Sequence, residues 1–186
     1  MKNKKLYVTK LIFLIVNLFF FSSYIYADEF EISALKIEFN NKDKKTFAKG
    51  EVVAKSDDGL TINAQEVIYD KKNNTLEAIK SVLIRDEKSN SEIRGDNILL
   101  DKKNEKIISF GKTFINFKDN FNIITSDIIF NRNNNTIKSN NLTSGLDKNG
   151  NKLTLNNFVY HTQNYSLRSK GKIHMIDKLN NNYFFK

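Results

Sequence analysis

The sequence predicts an all-β protein built from repeated antiparallel two-strand units. Three observations predict this fold class. An apolar pattern recurs five times at a spacing of 30 or 31 residues, apolar and polar residues alternate between turn signals, and no segment after residue 27 has a sustained helical period. The alternating stretches are rich in β-branched and aromatic residues, which fit a pleated and half-buried surface.

The first 27 residues have the order of a secretory signal peptide. Three lysines lie near the start, an apolar run follows at 11–21, and Ala27 is a small residue suited to the last position before cleavage. An uncleaved membrane anchor is the alternative, although the apolar run is shorter than the roughly 20 residues that a spanning helix needs. We therefore expect a signal peptide at 1–27 and one exported domain at 28–186.

Five rows of ten residues carry the repeat, and their third, eighth and tenth positions are always apolar. The rows are 30–39, 60–69, 91–100, 121–130 and 151–160. The third positions are Ile32, Ile62, Ile93, Ile123 and Leu153. The eighth are Ile37, Val67, Ile98, Ile128 and Phe158, and the tenth are Phe39, Tyr69, Leu100, Phe130 and Tyr160. A chain that is 40% hydrophobic would place apolar residues at only about six of these fifteen positions by chance.

Each row is followed by a polar turn, a second alternating stretch such as 112–117, and another turn. This order predicts roughly ten strands of about ten residues. Asp58-Gly59 and Asn149-Gly150 are hairpin-turn dipeptides, because Asn, Asp and Gly tolerate the positive φ that such turns need.

The parity of the apolar positions predicts that the strands bend. The third and fifth positions of a row share one parity, whereas the eighth and tenth share the other, so a regular strand cannot keep all four on one face. We expect a bulge or corner near the sixth position, which turns each strand around the core. Stacked units would then build one apolar interior, either packed solid or partly open as a groove.

The composition excludes several kinds of chemistry. The chain has no Cys, so it has no disulfide, zinc–thiolate site or Cys nucleophile. It also has no Pro, and lysines are the expected protection of its edge strands. Removal of residues 1–27 leaves a mild excess of five positive charges. This excess fits a solvated surface, and nucleic acid is not an expected partner of an exported chain.

No catalytic, cofactor or metal site is expected. The two histidines, His161 and His174, lack metal-ligand spacing, and the chain contains no GxSxG, GxxxxGK or GxGxxG motif. The segment 147–152 superficially resembles a calcium loop, but its Gly is at the fourth position rather than the sixth and Phe158 takes the place of the final Glu. We interpret that segment as a hairpin and do not expect an enzyme.

The stretch TFAKGEVVAKSDDGLTINAQEVIYDKKNNTLEAI at 46–79 resembles the OstA-like family of lipopolysaccharide-transport domains. The shared pattern is a Gly, a short apolar strand, a turn, an alternating strand ending near Tyr-Asp, and Asn-Thr-Leu. It extends over about residues 30–175 and is clearest in the first three rows. The family includes a periplasmic bridge protein and the N-terminal domain of an outer-membrane assembly protein; the length and the signal favour the bridge.

The resemblance implies a V-shaped β-jellyroll in the periplasm, extending towards the outer membrane. Its apolar interior would carry the acyl chains of lipid A, and similar modules would join through strand addition at their edges. The groove residues would be Ile32, Ile37, Ile62, Val67, Ile93, Ile98, Ile123, Ile128, Leu153 and Phe158, with Lys49 or Arg94 near lipid phosphates.

For each of these residues, simple filling of a core is the alternative. A second hypothesis follows from it: a structural β-solenoid segment of an adhesin, with a packed core and no lipid ligand. A third, an exported hydrolase, lacks a recognisable site.

Overall fold

The structure is a computed structural model that describes residues 30–117 and 121–185. The expected signal peptide at 1–27 lies outside the described residues. Within the described ranges, no helix has the length and apolar character needed to cross a membrane.

The described chain forms seventeen antiparallel strands, which confirms the all-β prediction. The strands are β1 (Glu31–Ser33), β2 (Lys36–Asn40), β3 (Lys45–Lys55), β4 (Leu60–Asp70), β5 (Thr75–Asp86), β6 (Ser91–Asp101), β7 (Lys106–Phe110), β8 (Lys112–Phe117), β9 (Phe121–Ser126), β10 (Ile129–Asn131), β11 (Thr136–Ser139), β12 (Thr143–Asp147), β13 (Lys152–Leu155), β14 (Phe158–His161), β15 (Ser166–Ser169), β16 (Ile173–Ile176) and β17 (Asn182–Phe185).

The predicted count of roughly ten strands is wrong, because most of the expected long strands are divided in the middle. Only β3 to β6 run through as strands of 11 or 12 residues. Elsewhere a break in the pairing separates two short strands, as between β1 and β2 or between β13 and β14. The strand β17, which follows the fifth row, was not expected from the sequence.

The bend near the sixth position of each row is confirmed. In β4 the buried residues are Leu60, Ile62 and Ala64 and then Val67 and Tyr69, so the buried parity switches once. The pairing of β4 with β5 shifts register at the same place. Rows one, four and five are interrupted there, and in row three the pairing of β6 with β5 shifts register.

The returning strands accommodate the bend with residues in the left-handed region. Gly50 and Glu51 in β3 have φ of 77° and 47°, and Lys80 and Ser81 in β5 have φ of 63° and 53°. Each pair of residues lies opposite a single residue of the neighbouring strand, which is the geometry of a β-bulge. The bulges keep the inner parity of the returning strands unchanged.

The line of bends divides the sheet into two arms. The first arm contains β1, β8, β9, β12, β13, β16, β17, the last halves of β3 and β5, and the first halves of β4 and β6. The second arm contains β2, β7, β10, β11, β14, β15 and the remaining halves. The two arms cover each other, and their inner faces form one cluster of buried apolar residues.

Short hydroxyl side chains satisfy polar groups along the bend between the third and the fifth row. Ser109 and Thr113 share a hydrogen bond of 2.6 Å, and Thr125 and Thr143 share one of 2.7 Å. The hydroxyl of Ser109 also accepts from the backbone N–H of Ile128. Buried polar groups need such partners, so these residues permit the chain to bend inside the core.

Candidate functional site

The interior between the arms is the place where most of the predicted groove residues meet. Seven of the ten are at most 2% exposed: Ile62, Val67, Ile93, Ile98, Ile123, Ile128 and Phe158. They come from both arms and belong to the single core cluster. The interior is therefore packed along the middle rows rather than open as a groove.

The N-terminal end of the interior is a mouth. Ile32 and Ile37 are half-buried there and line a cavity of about 390 Å³ together with Phe30 and Tyr69. Phe39 lines the same cavity and is 73% exposed, although its place in the repeat predicted a covered side chain. The reason is that the first row has no described row before it, so nothing in the described chain covers Phe39.

The C-terminal end of the interior is also less closed. Leu153, the last of the ten predicted residues, is half-buried and packs against the core with Ile173. A cavity of about 420 Å³ lies beside them, lined in part by Leu155, Ile173 and Phe185. The apolar interior thus reaches solvent at both ends of the stack of strands.

The free ends of the arms carry two lines of turns, which we call the lips. The first-arm lip includes turns 56–59, 87–90, 148–150 and 178–179, and the second-arm lip includes turns 41–44, 71–74, 102–105, 132–135 and 162–165. In the described chain no strand pairing joins one lip to the other. Side chains make the contacts there, and we call this line of contacts the seam.

Aromatic side chains form two parts of the seam. Near the first row, the rings of Phe30 and Tyr69 meet edge to face, with 5.4 Å between their centroids. Near the fourth and fifth rows, the ring of Tyr160 lies 4.8 Å from Phe117 and 5.1 Å from Phe121. The pairs Phe30–Tyr69 and Phe121–Tyr160 meet edge to face, and a pair of that geometry adds about 1 kcal/mol to the burial of the rings.

An ion network forms the middle part of the seam. The guanidinium of Arg132, on the second-arm lip, donates to Asp58 and, at 3.2 Å, to Asp86 on the first-arm lip. It also donates to Glu105 at 2.9 Å on its own lip. The ammonium group of Lys102 lies 2.6 Å from Asp58 and 3.1 Å from Glu105. The network thus connects both lips through charged side chains.

The network is shielded from solvent, and this shapes its electrostatics. The side chains of Arg132 and Asp86 are only 6% and 1% exposed. Burial opposes ionisation of Asp58, but hydrogen bonds from Lys102, Ser56 and Arg132 outweigh it and hold the pKa of Asp58 well below its ordinary value. Burial likewise disfavours the charge on Arg132, yet its carboxylate partners leave its pKa raised. Asp58 and Arg132 therefore stay ionised at neutral pH.

Sequence reasoning missed the seam. From the sequence, Asp58 is interpreted as a turn residue. Arg132 lies in the turn segment NRNNN, which contains no distinguishing motif. Arg132 and Asp58 are 74 positions apart, so no local spacing predicts that they meet. The sequence feature that could have indicated this ion network is a lone Arg in a turn made otherwise of Asn.

The proposed phosphate-binding candidates lie on the outer faces of the arms. Lys49 is 3.7 Å from Glu66, and Arg94 donates to Glu92 at 3.1 Å. Arg94 borders an outer cavity of about 930 Å³, whose lining includes Phe114 and Ile124. Neither cation is directed into the interior.

The two histidines have structural surroundings. His174 stacks on Phe184 with 4.4 Å between the ring centroids, and its Nε2 lies 2.8 Å from Asn182 Oδ1. His161 ends β14 and pairs with Thr136 of β11. Among residues 30–117 and 121–185, no group of three His, Cys, Asp or Glu side chains is arranged to hold a metal ion.

Comparison with known proteins gives a structural match. No protein-family model matches the chain, and no curated protein matches its sequence. The chain is similar to the crystal structure of LptH, the LptA homologous periplasmic component of the lipopolysaccharide transport device from Pseudomonas aeruginosa. The match has 10% identity and a TM-score of 0.45, and it covers 84% of this chain and 94% of that chain.

Proposed function

We propose that this chain is a non-catalytic periplasmic module that binds lipopolysaccharide and carries its lipid A acyl chains between two arms of a V-shaped β-jellyroll, towards the outer membrane. The observation that carries the proposal is the apolar interior, which extends from the mouth at Phe39 to the end near Leu153. Both arms contribute to it, so separation of the arms would present two apolar walls to an acyl chain.

The binding energy would be hydrophobic. Each methylene that moves from water into the interior contributes about 0.8 kcal/mol. The accessible starting point is the mouth, where Ile32, Ile37 and Phe39 present apolar surface. The buried residues of the middle rows would line the path only after the arms move apart, while the sugars would stay in water.

The proposed partners are similar jellyroll modules, joined through the edges of the two arms. Among the described strands, β1 and β17 are the edges of the first arm, and β2 and β15 are those of the second. An edge strand offers unpaired backbone groups to an incoming strand. Modules stacked in this way would align their interiors end to end.

The packing of the interior also favours the second hypothesis, a structural repeat without a lipid ligand. Residues such as Ile62 and Ile93 are fully buried and fill the space between the arms. A protein that only needs a stable stack of strands would look the same in its middle rows. The exposed apolar mouth is the feature that such a protein does not need.

A site-specific photo-crosslink to lipopolysaccharide tests the proposed function. Benzoylphenylalanine replaces Phe39 at the mouth or, as a matched control, Phe114, which is 41% exposed on the outer face. Both replacements keep an aromatic ring at an exposed position, so neither should prevent folding. After irradiation in cells, the crosslinked adduct is detected with antibody against lipopolysaccharide.

We expect an adduct from position 39 and none from position 114. Adducts from both positions would indicate adsorption to the surface rather than binding in the interior. The absence of an adduct from position 39, in a protein that is exported and folded, would favour the structural repeat.

A further inference from the structure

We infer that the ion network of Arg132, Lys102, Asp58, Asp86 and Glu105 is a releasable latch that closes a lateral portal between the lips. The inference rests on the proposed function, because it assigns a route by which an apolar chain reaches the interior. It adds a mechanism that the repeat alone does not contain: the arms open along the seam rather than at the bends.

Along the seam, the described arms are joined by side-chain contacts without strand pairing. At the bends, continuous strands such as β4 and β5 pass from one arm to the other with their backbone pairing on both sides. At the lips, the described backbone hydrogen bonds link turns of the same lip, as from Lys102 to Asn74 or from Glu87 to Gly59. Separation of the lips therefore breaks side-chain contacts and no strand pairing.

The chemistry of the middle seam favours reversibility. Opening returns the charges of Arg132 and Asp86 to water, and this hydration offsets much of the lost attraction. An apolar contact of the same size would lose its whole burial energy on opening. The network also needs several bonds from one planar guanidinium, so its strength depends on Arg132 more than on any other residue.

The position of the network fits a portal over the interior. Its residues come from the turns at 56–59 and 102–105, from Asp86 at the end of β5 and from Arg132 after β10. The aromatic contacts at Phe30 and at Tyr160 flank it on either side. Opening the network in the middle would expose the buried rows that hold Ile62 and Ile93.

The first test is the rate at which an apolar dye enters the interior. N-phenyl-1-naphthylamine, whose fluorescence rises in apolar surroundings, is mixed rapidly with wild-type protein and with Arg132→Lys. Lysine keeps the charge but cannot bind three carboxylates through a planar fork. We expect the variant to take up the dye about tenfold faster than the wild-type protein.

The second test locks the lips. The chain has no Cys, so Asp57→Cys with Asn133→Cys, both at exposed turns on opposite lips, gives a unique pair for a short bismaleimide. The matched control joins Asn104→Cys to Asn133→Cys, which lie on the same lip. We expect at least a tenfold slower uptake in the cross-lip protein and an unchanged rate in the control.

The outcomes separate the latch from the proposed function. Unchanged dye uptake after cross-lip closure, or no uptake by any variant, would overturn the latch. If dye entry responds as expected while position 39 gives no lipopolysaccharide adduct, the latch stands and the proposed ligand is wrong. If the adduct forms and neither variant alters dye entry, the function stands and the lipid enters by the ends.

Discussion

The ring of Phe30 lies edge-on against the ring of Tyr69, 5.4 Å away, although the two residues belong to different arms of the sheet. Phe30 precedes β1 at the first-arm lip, and Tyr69 is near the end of β4 at the second. Both are nearly fully buried. This contact closes the seam beside the N-terminal mouth and therefore couples the stability of the protein to the closure of its arms.

Phe30→Ala should lower the free energy of unfolding by about 3 kcal/mol, because it removes a buried ring and its aromatic partner contact. Phe39→Ala is the matched control and should change it by less than about 0.5 kcal/mol, since Phe39 is largely exposed. Urea unfolding followed by circular dichroism measures both. Equal effects of the two substitutions would mean that Phe30 does not join the arms.

Tyr160→Phe should raise the free energy of unfolding by about 1 kcal/mol, because the buried hydroxyl of Tyr160 has no hydrogen-bond partner among residues 30–117 and 121–185. The matched control is Tyr183→Phe, which loses a hydrogen bond of 3.1 Å to Asp177 and should be slightly less stable than wild type. Urea midpoints at neutral pH show whether each substitution raises or lowers the free energy of unfolding. A loss of stability in Tyr160→Phe would reveal a partner for the hydroxyl.

The pH dependence of the same variant gives a second readout. Burial raises the pKa of Tyr160 to about 12 from an ordinary value of 10.0. The unfolded chain therefore releases the proton first, so stability is lost as the pH rises from about 10 to about 12. Urea midpoints across this range should fall less steeply in Tyr160→Phe than in wild type. Parallel curves would show that Tyr160 does not contribute.

Ser81→Gly should stabilise the protein by about 1 kcal/mol, because Ser81 is exposed and holds a φ of 53° in a bulge of β5. Ser144→Gly provides the control, since Ser144 is exposed in β12 and has no such strain; it should cost about 0.5 kcal/mol. Thermal unfolding measures the two shifts. The same sign for both substitutions would contradict the strain at the bend.

A proline in the edge strand β17 should reduce self-association of the protein. Of two adjacent positions, one should tolerate proline without loss of stability. In an antiparallel edge strand, successive N–H groups alternate between the neighbouring strand and solvent. Phe184→Pro and Phe185→Pro therefore differ: one removes a bond to β16, and the other removes only an outward donor.

Sedimentation velocity at several concentrations, combined with urea unfolding, identifies the two cases. We expect wild-type protein to form larger species as its concentration rises, and the proline variant with an unchanged urea midpoint to stay smaller. Wild-type assembly that persists in both variants would exclude β17 as the joining edge.

The repeat made much of this fold predictable. Apolar residues recur at the third and eighth positions of each row. Residues such as Ile62 and Val67 are core residues because every row places these two positions at the same points of the repeated unit. The switch of parity between them predicted the bend, since a strand with period two cannot bury both without an irregularity. Six breaks at the same bend turn ten expected strands into sixteen, and β17 is the seventeenth.

The ends of the repeat were less predictable. Phe39 occupies a core position of the pattern but is exposed, because burial depends on a neighbouring row and no described row precedes the first one. The strand β17 begins at Asn182, 30 residues after Lys152 of β13, so it continues the spacing of the repeat beyond the five rows identified in the sequence. Periodicity describes what neighbours share, and it therefore says least about rows with only one neighbour.

By itself, the sequence determined the all-β class, the inner faces of most strands and the line along which they bend, because these depend on residues close together in the chain. Only the tertiary structure decided that the arms close. Arg132 and Asp58 bind each other across 74 positions, and Phe117 meets Tyr160, because the bends bring their turns together. Contacts between distant side chains depend on the angle between the arms, which no local pattern encodes.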